Sequence, residues 1–574
     1  MFARIQNTRG KEYLLIVENY REGDKVKQKV LHRFGRLDRL KESGGLDGII
    51  ASMSKFSDKL SILSEHAAGN TKTGEAVKIG APMVFERLWR ELGIGDIIQK
   101  LLSERKFEFS IERCVFLTVL HRLMTPTIGS SDRAAEKWKD DYKIEGADCL
   151  SLHHLYRAMA WLGEPLPDGQ QKDATYANNR CIKDLIEERI FEKRRSLFTD
   201  LSLVFFDTTS IYFEGEGGET IGQHGFSKDN RPDCKQMIVG MVLDKDGYPI
   251  CSELWPGNMA DVKALLPVIR RLRNRFGIED MCIVADRGMI SKSTIEQIES
   301  KYPDMKYILG ARMRNENEVK DDVLGASGRY KEVHPKRTNS KDPAPLKVKE
   351  VNIEVDDENN KENKNPNDKR YIVCHNEQEA RKDKADRENI VAALEDQLKK
   401  GDKSFVGNKG YKKYLKSQGK NFEIDKQKIK GEARFDGKYV LRTNWDDADA
   451  AEVALKYKEL WMVEHVFRST KSLLQTRPIY HKCDQTIRGH VFCSFLALVL
   501  RKTLQDKLTS KGDSVEWRDI INDLDSLAQM SLAVQGKSYL LRTETKGTVS
   551  KVFSACGVAL PPTLQKLSNQ EEAG

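Results

Sequence analysis

Two short apolar runs, Leu201-Ser202-Leu203-Val204-Phe205-Phe206 and Met281-Cys282-Ile283-Val284-Ala285, are each followed by an aspartate, Asp207 and Asp286. Short, branched or aromatic runs bounded by polar residues predict buried strands. Each aspartate then stands at the C-terminal tip of its strand, the edge at which α/β sheets carry chemistry. The same pattern predicts strand 235–243, a Lys245-Asp246-Gly247 turn, strand 248–254, helix 261–276, helix 291–301 and strand 306–309. Further on, 446–477 contains no Gly or Pro and is stopped by Pro478, which predicts one long helix.

Three meandering strands, a helix and a fourth strand predict an α/β catalytic core of ribonuclease-H-like topology, a mixed sheet flanked by helices. The fourth strand lies beside the first there, so Asp207 meets Asp286. In the N-terminal region 1–75, residues 1 to about 40 alternate in the strand manner around Arg21-Glu22-Gly23-Asp24 and predict a basic β-hairpin, followed by a linker over about 42–75. Residues 76–198 show helical spacing, 199–310 form the first part of the core, 446–510 hold the long helix and the end of the core, and 511–574 are expected to be helical. Between the two parts of the core, 311–445 predict a β-rich insertion, with strands at 370–374 and 438–442. Its middle, around Asp356-Asp357-Glu358-Asn359-Asn360, has the composition of a solvated loop.

At 574 residues, several domains are expected. The net charge of +9 leans toward an anionic partner. Ten cysteines without a CxxC pair exclude a zinc ribbon or a small disulfide scaffold and suit a reducing cytoplasm. No apolar signal core opens the chain, and the longest strongly apolar segment, 491–500, is about half a membrane span. The expectation is a cytoplasmic protein with no membrane partner.

Chemistry enters with Glu464. At about 100° per residue, Tyr457, Leu460, Glu464, Arg468 and Lys471 share a sector about 80° wide on the long helix. Two strand-tip aspartates and a helical glutamate are what two hard divalent cations, Mg²⁺ or Mn²⁺, need for phosphoryl transfer. Arg468 and Lys471 would meet phosphates. The Gly-rich loop 215–233 offers His224, Lys228 and Arg231 beside Asp207, and Trp255 offers a ring on which an unpaired base could stack. Asp233 and Asp261 read as structural, His465 points away from Glu464, and His153-His154 lacks zinc spacing.

These residues resemble the insertion-sequence DDE transposases marked by a Tyr-x2-Arg-x3-Glu-x6-Lys helix. Tyr457, Glu464 and Lys471 match, and Leu460 departs from the pattern at the Arg position. Asp207-Thr208-Thr209-Ser210, His224-Gly225-Phe226-Ser227-Lys228 through Asp233, Pro256-Gly257-Asn258 and Ala285-Asp286-Arg287-Gly288-Met289 extend the likeness over about 200–500. The resemblance implies metal-dependent cleavage at transposon ends and joining to target DNA. In that scheme Asp207 bridges two metals, while Asp286 and Glu464 hold one each. It further implies binding of double-stranded terminal inverted repeats, with the helical region 76–198 as end-binding domain, and a dimer in the synaptic complex. The alternatives are a related nuclease or resolvase that cuts without joining, and an inactive DNA-binding derivative.

Overall fold

The computed structural model describes residues 1–567 except 24, 55, 70, 104, 126–130, 172–173, 175–178, 196–201, 290, 335–342, 355–367, 401–412, 419–420, 470–478 and 535. The chain divides into two compact units, Met1–Gly80 with Glu516–Gly574, and Ala81–Val515.

In the first unit, β1 (Phe2–Thr8), β2 (Lys11–Glu22) and β3 (Lys25–Arg36) form an antiparallel sheet. The expected hairpin is β2 with β3, reversing at Gly23, whose φ of +62° suits a residue without a Cβ. The stretch expected to be a linker instead carries helices Gly45–Ser54 and Asp58–Ala67 and runs into β4 (Lys72–Lys78). β4 pairs with β16 (Ala528–Val534), which continues to β17 (Lys537–Arg542) and β18 (Leu564–Lys566). The C-terminal region is therefore mixed rather than helical. Its strands bury Leu532, Val534 and Tyr539 together, a two-residue alternation that short polar neighbours obscure in the sequence.

The second unit is built on a nine-stranded sheet. Its strands are β5 (Leu203–Tyr212), β6 (Gln236–Asp244), β7 (Pro249–Pro256), β8 (Cys282–Ala285), β9 (Lys306–Gly310), β10 (Lys331–His334), β11 (Leu346–Ile353), β12 (Lys369–His375) and β15 (Lys438–Thr443). The order is β10-β11-β12-β15-β9-β8-β5-β6-β7. β5, β6 and β7 form the expected antiparallel meander, while β8 lies parallel to β5 and β9 parallel to β8. The insertion does not stand apart. Four of its strands extend this sheet through the pairing of Leu441 with Gly310, because an unpaired edge on the buried strand β9 would leave backbone groups unsatisfied. A separate hairpin, β13 (Leu415–Gln418) and β14 (Asn421–Ile424), completes it. The charged stretch 356–365 lies outside the described residues.

Helices cover both faces. Leu265–Phe276 and Lys292–Lys301 share one core with Val204, Phe206, Trp255, Ile283 and Leu309. On the other side, Ala450–Lys458 packs on β8 and β9, Trp461–Arg468 on β5 and β6, and Asp484–Ser510 on β7. The predicted single helix over 446–477 is thus broken. Around Glu459 and Leu460 the backbone bonds become i→i−3, from Leu460 N–H to Tyr457 O (3.1 Å) and from Val463 N–H to Leu460 O (3.0 Å). The break lets the first half pack on β8, β9, β11 and β12 while the second packs on β5 and β6, a tertiary demand that overrides propensity.

In the helical region, Ile111–Met124 is buried at every residue except Arg113 and packs against Leu152–Leu162 and Asp484–Ser510. A helix enclosed this way has no face to lay in a DNA groove. Among the described residues, no helix is long and apolar enough to cross a membrane.

Candidate active site

Phe206 pairs with Ala285 across the parallel strands β5 and β8, so Asp207 and Asp286, one step further along each, stand side by side at the interstrand spacing of about 4.8 Å. The strand does not end at Asp207 as expected. β5 runs on to Tyr212, paired with β6 as far as Gln236, because the β-branched run Thr208-Thr209-Ser210-Ile211 sustains it. β8 stops at Ala285, and there the flank of β5 opens. Since Val204 and Phe206 face the core under Leu265–Phe276, alternation turns Asp207 to the opposite face, the face that carries the broken helix. Asp286 follows Ala285 of the same core and takes the same side.

The electrostatics are concentrated at Asp207. Burial pushes its carboxyl up to about 7, and the charges of Asp286 and Asp261 push the same way, while Lys228 and the Thr208 N–H, 2.7 Å from Oδ1, draw it down. Thr208 Oγ1 donates to Asp261 Oδ1 at 3.0 Å. Lys228 Nζ donates to Thr208 O (2.7 Å) and Thr208 Oγ1 (3.1 Å) and lies 3.4 Å from Asp261 Oδ2. Asp261, expected near the site in a purely structural role, is bonded into the network beside Asp207. Only the fold shows this, since its motif lies more than fifty residues from Asp207.

Tyr457 Oη donates to Asp286 Oδ1 at 3.1 Å, and its ring stacks on Tyr439 at 5.8 Å. Burial and the neighbouring aspartates hold its hydroxyl protonated far above the ordinary phenol range. Gly310 makes room, since a Cβ there would come within 2.6 Å of the Tyr457 hydroxyl. The tyrosine expected to touch DNA thus orients a carboxylate. Tyr457→Phe should lower metal affinity and cleavage 10- to 100-fold, about the effect of losing an outer-shell partner, with thermal stability nearly unchanged. Metal titration followed by calorimetry checks it.

Two arginines escaped the sequence reading. Arg287 follows Asp286 and is exposed, and Arg312 holds that turn through the carbonyls of Arg287 (3.1 Å) and Gly288 (3.2 Å). Glu464 and Arg468 are exposed on Trp461–Arg468, the helix over β5 and β6. Leu460, at the signature arginine position, is buried at the helix break. Lys471 lies outside the described residues. His224 and Lys228 project from the loop beside β5, and both are exposed. Arg231 is engaged with Asp233 at 2.9 Å and lies over the Tyr212 ring at 5.0 Å.

Trp255 is a correction. It is 1% exposed, meets Phe206 edge-on at 6.4 Å and lies across Gly240, where a Cβ would come within 2.7 Å of its ring. No base can reach it. Trp255→Ala should cost about 3–5 kcal/mol in urea unfolding. Trp255→Phe should cost far less, because it keeps the packing and drops an indole N–H that has no partner.

A second ligand-like group, Asp132, His481 and His490, is buried around Arg122, whose Nη2 sits 2.9 Å from His490 Nδ1. That guanidinium supplies the positive charge a cation would bring, so the group reads as an internal polar network.

At the Asp207 site, by contrast, two adjacent carboxylates offer hard oxygen donors, and burial with the neighbouring aspartates pushes the Asp207 carboxyl up. The donor set fits a divalent cation such as Mg²⁺ or Mn²⁺.

Paired carboxylates at neighbouring positions of two parallel strands are of the kind that metal-dependent phosphoryl transfer uses. Residues 198–500, more than half of the chain, match the family model of the transposase DDE domain, and residues 2–67 match that of the IS1634 family transposase, N-terminal domain. The chain belongs to the DDE transposases of insertion sequences. Its activity is DNA strand cleavage and transfer, dependent on a divalent metal, and DNA is its partner. No curated protein matches the chain. Among solved structures, the piggyBac transposase synaptic complex with hairpin DNA is similar at 10% identity, covering 79% of this chain and 82% of that one, with a TM-score of 0.35. So loose a superposition has no bearing on the fold.

Proposed function

We propose that Asp207, Asp286 and Glu464 are the catalytic triad of a ribonuclease-H-like core and hold two Mg²⁺ or Mn²⁺ ions. The register that sets Asp207 beside Asp286, with the Asp207 carboxyl pushed up to about 7, carries this reading. Such metals, when bound, stabilise the attacking and leaving oxygens of a phosphodiester exchange. The chain's own residues prepare for that exchange. Tyr457 fixes the rotamer of Asp286, and the Thr208–Asp261–Lys228 hydrogen bonds fix the backbone next to Asp207. Arg287, Arg468, Lys228 and Arg231 supply positive charge to the phosphates, and His224 a ring nitrogen for a hydrogen bond.

The substrate is the element's own terminal inverted repeats, joined to target DNA by a dimer that pairs two ends in the cytoplasm, where the protein associates with the nucleoid. Residues 1–42 carry 11 Lys and Arg against six Asp and Glu, a net +5 of the chain's +9. This concentration favours the N-terminal sheet as a share of the end-binding surface, alongside exposed faces of the helical region.

The test is joining of a labelled terminal-repeat duplex to a supercoiled plasmid with Mg²⁺ or Mn²⁺. Metal-dependent joined products are expected. Cutting without joining would favour a nuclease, and binding without cutting an inactive derivative.

A further inference from the structure

Phe226 is 83% exposed, more than Tyr480 (65%) or Trp461 (60%), the next most exposed large apolar side chains of the unit Ala81–Val515 among the described residues. A single exposed phenylalanine is ordinary on a protein surface. This one differs in how it is held and where.

The loop that carries it is glycine-rich and charged, a composition that suggests mobility, yet it is tied down on both sides of the ring. On the entry side, Asp484 at the start of the helix Asp484–Ser510 accepts the backbone N–H groups of Glu219 (3.0 Å) and Thr220 (3.1 Å). Gln223 and Gln236 then exchange backbone bonds of 3.1 and 3.0 Å. Gly225 is pressed against the next loop, and a Cβ there would lie 1.9 Å from the Gly257 carbonyl oxygen. On the exit side, Lys228 N–H donates to Ser210 Oγ at 2.8 Å and Arg231 N–H to Ser227 Oγ at 3.0 Å. Only His224 to Ser227 remain as a tip, and its position relative to β5 is set.

The location follows from Lys228. Its backbone N–H is held at Ser210 Oγ and its ammonium reaches the Thr208 carbonyl at 2.7 Å, next to Asp207, and the Cα of Phe226 lies no more than about 7 Å from that of Lys228. An apolar ring on a tethered loop at the rim of a phosphate-handling site, between His224 and Lys228, has the properties of a stacking platform for a nucleobase. Every base offers a π-face to such a ring, whatever the sequence.

We propose that Phe226 stacks on an unpaired DNA base adjoining the phosphate presented to Asp207 and Asp286, holding the strand end open during cleavage. The proposal rests on the assignment of the reacting centre to those two aspartates. Its partner is DNA rather than a second copy of the chain, because its neighbours along the chain include the polar His224 and Lys228 and the loop is bonded to the strand that carries Asp207.

The test uses the full-length protein and a terminal-repeat duplex carrying 5-iodouracil at single positions on either side of the cleavage point, with EDTA present so that no strand is cut. Ultraviolet irradiation should crosslink one of these positions to the peptide containing Phe226. Phe226→Leu, which keeps apolar bulk at an exposed position and cannot harm the core, should abolish that crosslink and weaken end binding about tenfold, the size of one base–aromatic stack. Crosslinks confined to other peptides, or unchanged binding by Phe226→Leu, would overturn the proposal. A change in DNA-free oligomeric state on that substitution would also overturn it and point to a second copy of the chain. Failure of the centre assignment shows separately, as an Asp207→Asn protein that still cuts DNA.

Discussion

Asp207→Asn should abolish strand cleavage and transfer, by on the order of 10³-fold or more, while binding of a terminal-repeat duplex persists. Loss of a ligand to a catalytic metal removes several kcal/mol of transition-state stabilisation, whereas DNA affinity resides in dispersed cations. The same substitution should change stability in the opposite sense. A carboxyl raised to about 7 binds its proton more tightly in the folded than in the unfolded chain. It therefore costs stability increasingly as pH rises from near 4 through 7, and the full cost is present above that. At pH 8 without metal, Asp207→Asn should melt higher than wild type. The gain is of order 1 kcal/mol once the solvent that reaches this half-buried side chain is allowed for. Added Mn²⁺ should stabilise wild type and leave the variant unmoved. Calorimetric scans with and without Mn²⁺, run beside a cleavage assay, check all three points. Asp286→Asn should match it in activity, because the two carboxylates share one register position.

Glu464→Gln should cause a comparable loss of cleavage, again on the order of 10³-fold, with no measurable change in folding. The carboxylate is exposed on Trp461–Arg468, so an amide of equal size disturbs no packing. This helix buries Val463 and Phe467 and packs on the two strands nearest Asp207, so Glu464 is carried by an element already seated on the catalytic face. Metal-dependent nicking of a labelled duplex, compared at equal end occupancy, decides the matter. Equal cutting by both proteins would remove Glu464 from the mechanism. The contrast with Trp255→Ala is informative, since that substitution should lose stability first and activity only as a consequence.

Much of the site could be read from local pattern. The strands around Asp207 and Asp286, the meander between them, the intervening helix and the parallel return were all legible, because buried strands need continuous apolar runs and turns need Gly, Asp and Asn at fixed places. The roles of individual side chains were less legible. Tyr457 looked like a DNA contact because helical spacing places it on the face of Glu464, but the helix breaks at Leu460, and its hydroxyl goes to Asp286. Trp255 looked available because it precedes a Pro-Gly-Asn turn, but strand alternation sends its ring into the core. Asp261 was expected near the site as a structural carboxylate, and the fold adds its bonds to Thr208 and Lys228.

The amino-acid sequence by itself determined the main strands and helices of the catalytic core, and it placed one aspartate directly after each of two apolar strand runs, since these outcomes follow from nearest-neighbour chemistry repeated at periods of two and 3.6 residues. Only the tertiary structure decided that the insertion would extend the catalytic sheet, that the glutamate helix would break to follow two different sets of strands, and that Lys228, Asp261 and Tyr457 would converge on the aspartates. Those outcomes depend on contacts between residues tens to hundreds of positions apart. There, edge pairing, core packing and the pairing of buried charges outweigh the few tenths of a kcal/mol per residue that local propensity contributes.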